Sequence, residues 1–270
     1  MSVFFIGTAH DEYRRKRFPE GSVVIDPWRM IPDQPGVTVR RLGENRPAMI
    51  SILVPSRGRP AEFLRMVKSA YDTATYVRRI EVIARVDEDD EDKFMYPVGP
   101  RYVTGPRILL SECWNECYAQ ASGEILMHAG DDITFDTPGW DQRVREEFAK
   151  LPDRIGLVYA DDCSPNFPDL ATHGFLHRRW VEAVGYFLPP LFSSDWNDVW
   201  ISEVAKKVGR FIPMPDVKIE HHHYYFGKAE HDRTYREREE RGERDQVVVL
   251  FENTKQARVQ DARKLRAVMA

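Results

Sequence analysis

Cysteine is scarce in this sequence. There are three in 270 residues, an odd number that cannot form a closed disulfide framework. Cys113 and Cys117, four residues apart on the apolar side of an expected helix, read as small core residues. No apolar run approaches the ~18 residues needed to cross a membrane. The N-terminal run Val3–Ile6 is too short for a secretory signal, and acidic residues come soon after it. Together these features lead us to expect a reducing, cytoplasmic setting. Excess positive charge is missing too: 39 Lys and Arg against 43 Asp and Glu leave a net charge of −4. That balance argues against a surface that coats nucleic acid, although it permits a local basic patch. We find no internal repeat.

A substantial core can be built, because 42% of residues are hydrophobic and 11% aromatic. The length suits one large α/β domain with appendages, or two small domains. Residues 1–48 read as an N-terminal appendage. Val3–Ile6 and Val23–Ile25 are short strand candidates, and Pro27, Pro32, Pro35 and Pro47 punctuate the rest of it. Within it, Ile6–Tyr13 and Val24–Arg29 faintly resemble the closing strands of nucleotide-sugar dehydrogenases, over a stretch that holds none of that family's catalytic motifs.

Regularity begins at Met49. Ile50–Val54, apolar but for Ser51, is expected to be a strand buried on both faces of a parallel sheet. Pro60 then opens a helix with Phe63, Met66, Val67 and Ala70 on one side. Ile80–Val86 is a second strand and ends in the acidic run Asp87–Asp92. Leu109–Ala121 reads as a helix stopped by Gly123, and Ile125–His128 as the strand leading to Asp131 and Asp132. A helix at 140–150, a strand Ile155–Tyr159, helices near 178–184 and at Asp198–Val208, and late strands around Phe211 and Val217–Ile219 complete residues 49–226. Residues 227–270 read as a charged helical C-terminal extension. The β-α-β order predicts a mostly parallel sheet with helices on both faces.

Two adjacent carboxylates at a strand's carboxyl end suit Mg2+ or Mn2+ shared with phosphate oxygens, though Gly-Asp-Asp is also ordinary turn chemistry. Four features, over residues 50–226, resemble a GT-A type glycosyltransferase, most similar to family 2. They are the first strand running into Pro55-Ser-Arg, the second strand ending at Asp87, the block from Trp114-Asn-Glu to Ala-Gly-Asp-Asp-Ile, and Asn197-Asp198 opening a helix. The sequence departs from the family pattern in having Gly130 where a full Asp-x-Asp would supply a ligand, and Asn197 in place of Glu.

The resemblance implies a GT-A (Rossmann-like) fold and a metal-dependent transfer from a nucleotide-diphosphate sugar, a UDP-sugar first among donors. The acceptor would be a glycan, a protein, a small molecule or a modified nucleic acid. It implies Mn2+ or Mg2+ on Asp132 and Asp131, with a third ligand from the histidine run. Alternation sets His221 and His223 on one face, and an imidazole ligand would favour Mn2+. Asp198, at its helix start, is the expected base for a single displacement with inversion, with Asp195 as its rival. Pro55, Ser56, Arg57, Arg59, Asp87, Arg107, Asn115 and Asp131 are the expected donor-binding residues. Trp196 and Trp200 could offer a sugar ring an aromatic face or could be core.

Two other readings stay open. A nucleotidyltransferase uses a similar sheet, but the loop after the first strand lacks the glycine-rich, lysine-bearing sequence that cradles a triphosphate. A non-catalytic carbohydrate-binding or interaction module would use the charged tail as its surface.

Overall fold

The computed structural model describes residues 2–41 and 47–270, and its contacts divide the chain into two units, Met1–Pro47 and Ala48–Ala270. Residues 42–46 of the expected appendage lie outside the described residues.

The first unit is a parallel three-stranded sheet of β1 (Val3–Phe5), β2 (Val23–Asp26) and β3 (Thr38–Arg41), in that order. Phe4, Val24 and Val39 share a face and pack with Ile6, Phe18 and Ile31 into a small core. Sequence reading did not find β3. Thr-Val-Arg-Arg carries one apolar residue, and pairing with β2 makes it a strand.

In the second unit β4 (Ile50–Ser56), α1 (Pro60–Asp72), β5 (Ile80–Asp87), β6 (Arg101–Gly105), α2 (Leu110–Gln120) and β7 (Ile125–His128) succeed one another. Then come β8 (Ile133–Phe135), α3 (Trp140–Ala149), β9 (Leu157–Asp161), β10 (Gly174–His177), α4 (Arg178–Val184), α5 (Asn197–Lys207) and β11 (Phe211–His221). The chain ends in α6 (Arg233–Arg244), α7 (Val247–Asn253) and α8 (Lys255–Arg266). The strands form one eight-stranded sheet in the order β6-β5-β4-β7-β10-β9-β11-β8. β10 runs antiparallel to β7 and β9, β8 runs antiparallel to β11, and the other pairs are parallel.

Strand alternation supplies two cores, one on each side of the sheet. Ile50, Ile52, Val54, Val82, Met127 and Phe175 pack with Phe63 and Met66 of α1 and with Trp140 and Phe148 of α3. On the opposite side Leu53, Ile83, Leu126, Leu157 and Leu176 meet Trp114, Trp180 and Trp200. Val247, Phe251, Ala262 and Leu265 belong to that second core, so α7 and α8 of the expected tail are packed against the sheet domain. Arg258 locks them there: its guanidinium lies 3.7 Å from the Phe251 ring and donates to Glu203 of α5 at 2.6 Å.

In the second unit three strands escaped sequence reading. β6, Arg-Tyr-Val-Thr-Gly, carries only two apolar residues and lies at the sheet edge, and β8 and β10 are short pieces that exist through antiparallel pairing. The two late strands are one, β11, with a register shift between Met214 and Lys218.

Candidate active site

Chain order runs outward from β4 to β5 and β6, then returns to β7 on the other side of β4. A parallel sheet opens a crevice beyond its carboxyl ends at such a switch point. The β4 end supplies Pro55 to Arg59, the β5 end Asp87, and the loop after β7 Asp131 and Asp132. β11, running with β9, brings His221 to the same edge. Because β10 is antiparallel to β7, its beginning meets the end of β7: Gly174 pairs with His128, and the preceding His173 lands there. A cavity of about 640 Å³ occupies this edge, lined by all of these residues except Gly58 and Gly174, and also by Arg107, Asp195 and Asp198.

The two aspartates differ. Ser56 Oγ donates to Asp131 at 2.6 Å, and Arg59 Nη1 lies 3.4 Å away. Burial pushes the Asp131 carboxyl up; Arg59 opposes this and Asp132 adds to it. Asp132 is equally enclosed, but contacts with His221, His173 and Tyr235 outweigh the cost of burial and hold it below the usual carboxylate range. Tyr235 Oη donates to Asp132 Oδ2 at 2.7 Å, and His221 Nε2 is 3.5 Å from the same oxygen.

Asp132, His173 and His221 bring one ligand atom each to within 4.8 Å of one another, a grouping that could hold a metal ion. Burial and neighbouring His221 hold the His173 imidazole well below its ordinary pKa, hence neutral and able to offer a lone pair. Its Nδ1 accepts a long bond from Gly130 N–H at 3.3 Å, and its buried Nε2 has no hydrogen-bond partner among the described residues. His128 braces this corner, with burial lowering its pKa to about 4 and its ring nitrogens 3.0 and 3.1 Å from the carbonyls of Thr172 and Gly174. A Cβ at Gly130 would stand 2.6 Å from Asp132 Oδ1 and 3.2 Å from His173 Cε1, so any larger residue there would push the Asp132 carboxylate aside.

His173 was not among the residues singled out from sequence. It is an isolated histidine in Thr-His-Gly, and no local signal marks it. His223, which was, stands outside the group: its Nδ1 accepts from Tyr225 N–H at 3.2 Å and its Nε2 faces Arg238 at 3.4 Å. Burial and His221 lower its pKa to about 4. Asn115 differs from expectation as well. Its amide nitrogen donates to the carbonyls of Ser111 and Leu188, and its oxygen accepts from the N–H groups of Phe187 and Leu188. It pins the turn after α4 and does not line the cavity. Trp200 is core, 1% exposed and bonded to Asp261, while Trp196 lines the cavity with its ring 4.6 Å from Phe251.

Asp198 lies in the first turn of α5 and is half-buried, with one oxygen accepting from Val199 N–H at 2.9 Å. Burial, more than neighbouring Asp195, raises its pKa to about 6. Asp195 is exposed and paired with Arg238 at 3.0 Å. On the β5 side, Arg57 Nη1 lies 3.1 Å and Arg107 Nε 3.9 Å from Asp87, so that carboxylate is shared among cations.

Searches against family models and curated proteins found no match. Among solved structures, the chain is similar to a mannosyltransferase, PcManGT, from Pyrobaculum calidifontis, in complex with GDP-Man and Mn2+. The identity is 13% and the TM-score 0.50, over 65% of this chain and 57% of that one. TarS of S. aureus is similar at 11% identity and a TM-score of 0.50, over 63% of this chain and 36% of TarS. TarS 1–349 in complex with UDP-GlcNAc matches at 10% identity and the same TM-score, over 63% of this chain and 57% of that one. The chain thus spans little more than half of the mannosyltransferase and about a third of TarS. At this identity the likeness is one of fold: a mixed, mostly parallel sheet flanked by helices, as in GT-A glycosyltransferases. No helix among the described residues is long and apolar enough to cross a membrane.

Proposed function

We propose that this chain, which has the glycosyltransferase fold, is a metal-dependent glycosyltransferase that moves a sugar from a nucleotide-diphosphate donor to an acceptor hydroxyl with inversion. The observation that carries the reading is the grouping of Asp132, His173 and His221 at the β4/β7 switch point, in the cavity that also holds Asp198. Two imidazoles and a carboxylate suit a borderline ion and favour Mn2+ over Mg2+. The buried Nε2 of His173, unpartnered among the described residues, fits such an ion. Ligation through that nitrogen requires the ring proton on Nδ1, which then gives up the Gly130 contact. The neighbouring mannosyltransferase structure contains Mn2+ and GDP-Man.

When bound, the cation neutralises charge developing on the leaving diphosphate. Arg59, Arg57 and Arg107 line the same wall and suit phosphate oxygens through bidentate guanidinium contacts. Ser56 and Arg59 keep Asp131 in place beside the cation site. Asp198 is the residue we assign as base. Among the described residues its carboxylate has no cation partner within salt-bridge distance, whereas Asp195 is neutralised by Arg238. A pKa of about 6 leaves Asp198 ionised at neutral pH and stronger as a base than an ordinary carboxylate. Direct proton removal by one carboxylate is the arrangement of a single displacement, hence inversion.

The donor we would try first is a UDP-sugar; GDP-sugars come next, from the likeness to the mannosyltransferase. Thermal-shift screening of nucleoside diphosphates with Mn2+, and with chelator, tests the reading. Stabilisation that needs both metal and one nucleotide, with slow hydrolysis of the matching sugar donor, is expected. Stabilisation by triphosphates alone would replace the reading with a nucleotidyltransferase, and indifference to all nucleotides with a binding module.

A further inference from the structure

We infer that α6 is a self-inhibitory strap, whose side chains hold the places of the metal–diphosphate and must be displaced for the donor to enter. The inference rests on the reading above that this cavity takes a divalent cation and a diphosphate. Asp232, the N-cap of α6, pairs with Arg59 through two bonds of 2.7 and 2.8 Å, from Nε and Nη2. Arg59 Nη1 is meanwhile turned to Asp131 and Asp132, so a phosphate reaches this guanidinium only by evicting Asp232. Five residues along, Glu237 takes Arg107 at 2.8 Å and Arg57 at 3.5 Å. Between them Tyr235 lies across Arg59, ring to guanidinium at 3.9 Å, and donates its hydroxyl proton to Asp132 Oδ2. A proton donor on that oxygen competes with a cation for it.

Two carboxylates and a phenol of this helix and its cap thus occupy Arg59, Arg107 and a carboxylate of the cation group, and touch Arg57, whose shorter bonds go to Asp89 and Asp87. The rest of α6 is built to let go. Nine of its twelve residues are charged, and only Tyr235 and Gly242 are buried. Its hold on the domain is mainly polar, and polar contacts are those an incoming diphosphate and cation can replace at little net cost. Both flanks bend at residues with positive φ, Gly227 at 68° and Gln246 at 50°, while α7 and α8 beyond are anchored in the core.

The test uses the full chain, with Mn2+ and inorganic pyrophosphate as probe, so that no base or sugar need be known. Asp232→Asn with Glu237→Gln keeps the side-chain shapes and the N-cap while removing both charges. We expect this double variant to bind pyrophosphate–Mn2+ about tenfold more tightly than wild type by calorimetry, and Tyr235→Phe to bind Mn2+ alone more tightly. Amide hydrogen exchange over residues 233–244 should accelerate in wild type when the probe is added. Slower exchange there on probe binding, with unchanged or weaker binding by the double variant, overturns the strap while leaving the transferase reading intact. Failure of wild type and variants alike to bind either probe removes the reading itself, and the strap with it.

Discussion

His173 offers the sharpest test of the cation site, because the structure separates its contribution to metal binding from its contribution to folding. The perturbation is His173→Ala. Without metal, wild type buries an imidazole whose Nε2 has no partner among the described residues. An unsatisfied buried polar group costs about 1–3 kcal/mol, so its removal offsets much of the packing lost with the ring. The metal-free variant should therefore melt close to wild type. With Mn2+ the two should diverge. At a concentration 100 times Kd the wild type gains about 2.7 kcal/mol from ligand binding, and a variant weakened 100-fold gains about 0.4 kcal/mol. The difference of about 2.3 kcal/mol corresponds to a gap of roughly 5–9 °C in Tm for a protein of this size. Differential scanning fluorimetry across a Mn2+ titration reads both quantities, with His223→Ala as comparison, since the structure sets His223 outside the trio. A full Mn2+ shift in His173→Ala, or its loss in His223→Ala alone, would mean that His173 is not a ligand of the cation.

Asp198→Asn should leave nucleotide–Mn2+ binding intact and reduce transfer by about 10²–10⁴-fold, the range for losing a positioned base; normal transfer would return the role to Asp195. In wild type, transfer should rise with pH through about 6 and level off above it, because the base acts only when ionised. The linked stability effect has the opposite sign. The folded pKa of about 6 exceeds the ordinary value, so the proton is held more tightly in the folded chain, and stability falls as pH rises between about 4 and 6. Above that window Asp198→Asn should stabilise the protein by about 3 kcal/mol, and below pH 4 hardly at all; equal effects at pH 4 and 7.5 in urea denaturation would show that Asp198 is not perturbed. Asn115→Ala should cost about 2–3 kcal/mol of stability, because it strands buried backbone groups of the turn after α4, while the donor KM stays at the wild-type value; a raised KM at unchanged stability would return Asn115 to the donor site. Gly130→Ala should fold but lose the Mn2+ shift, since its Cβ would stand 2.6 Å from Asp132 Oδ1; retention of the shift would mean that this oxygen is not involved in the cation site.

Much of the second unit was legible in the sequence, because its strands and helices carry period signals strong enough to be read locally. β4 is apolar at four of its first five residues, Ser51 being the exception, because it is covered on both faces, and α1 shows the helical spacing of Phe63, Met66, Val67 and Ala70. The abrupt passage from an apolar strand to Asp131 and Asp132 could be read in the same way, since a strand ending in carboxylates has few other places to go than the edge of the sheet. Local pattern also marked Asp198 at a helix start and the alternation of His221 with His223.

The rest depended on which strand lies beside which. β10 is four residues long, and antiparallel pairing with β7 is what brings His173 next to Asp132, forty-one positions away in the chain. No periodicity encodes that neighbour, and for the same reason sequence alone could not choose between His173 and His223. Asn115 shows the converse. Its setting in the helix looked like a ligand position, but the turn at Phe187 and Leu188, together with the Ser111 carbonyl one helical turn back, takes all its hydrogen-bonding capacity. The residues from 227 onward read as a charged helical extension because charge density is a property of composition. Whether those charges face water or a set of arginines depends on the path of the chain, and α6 lies across the cavity because α7 and α8 are held in the core behind it.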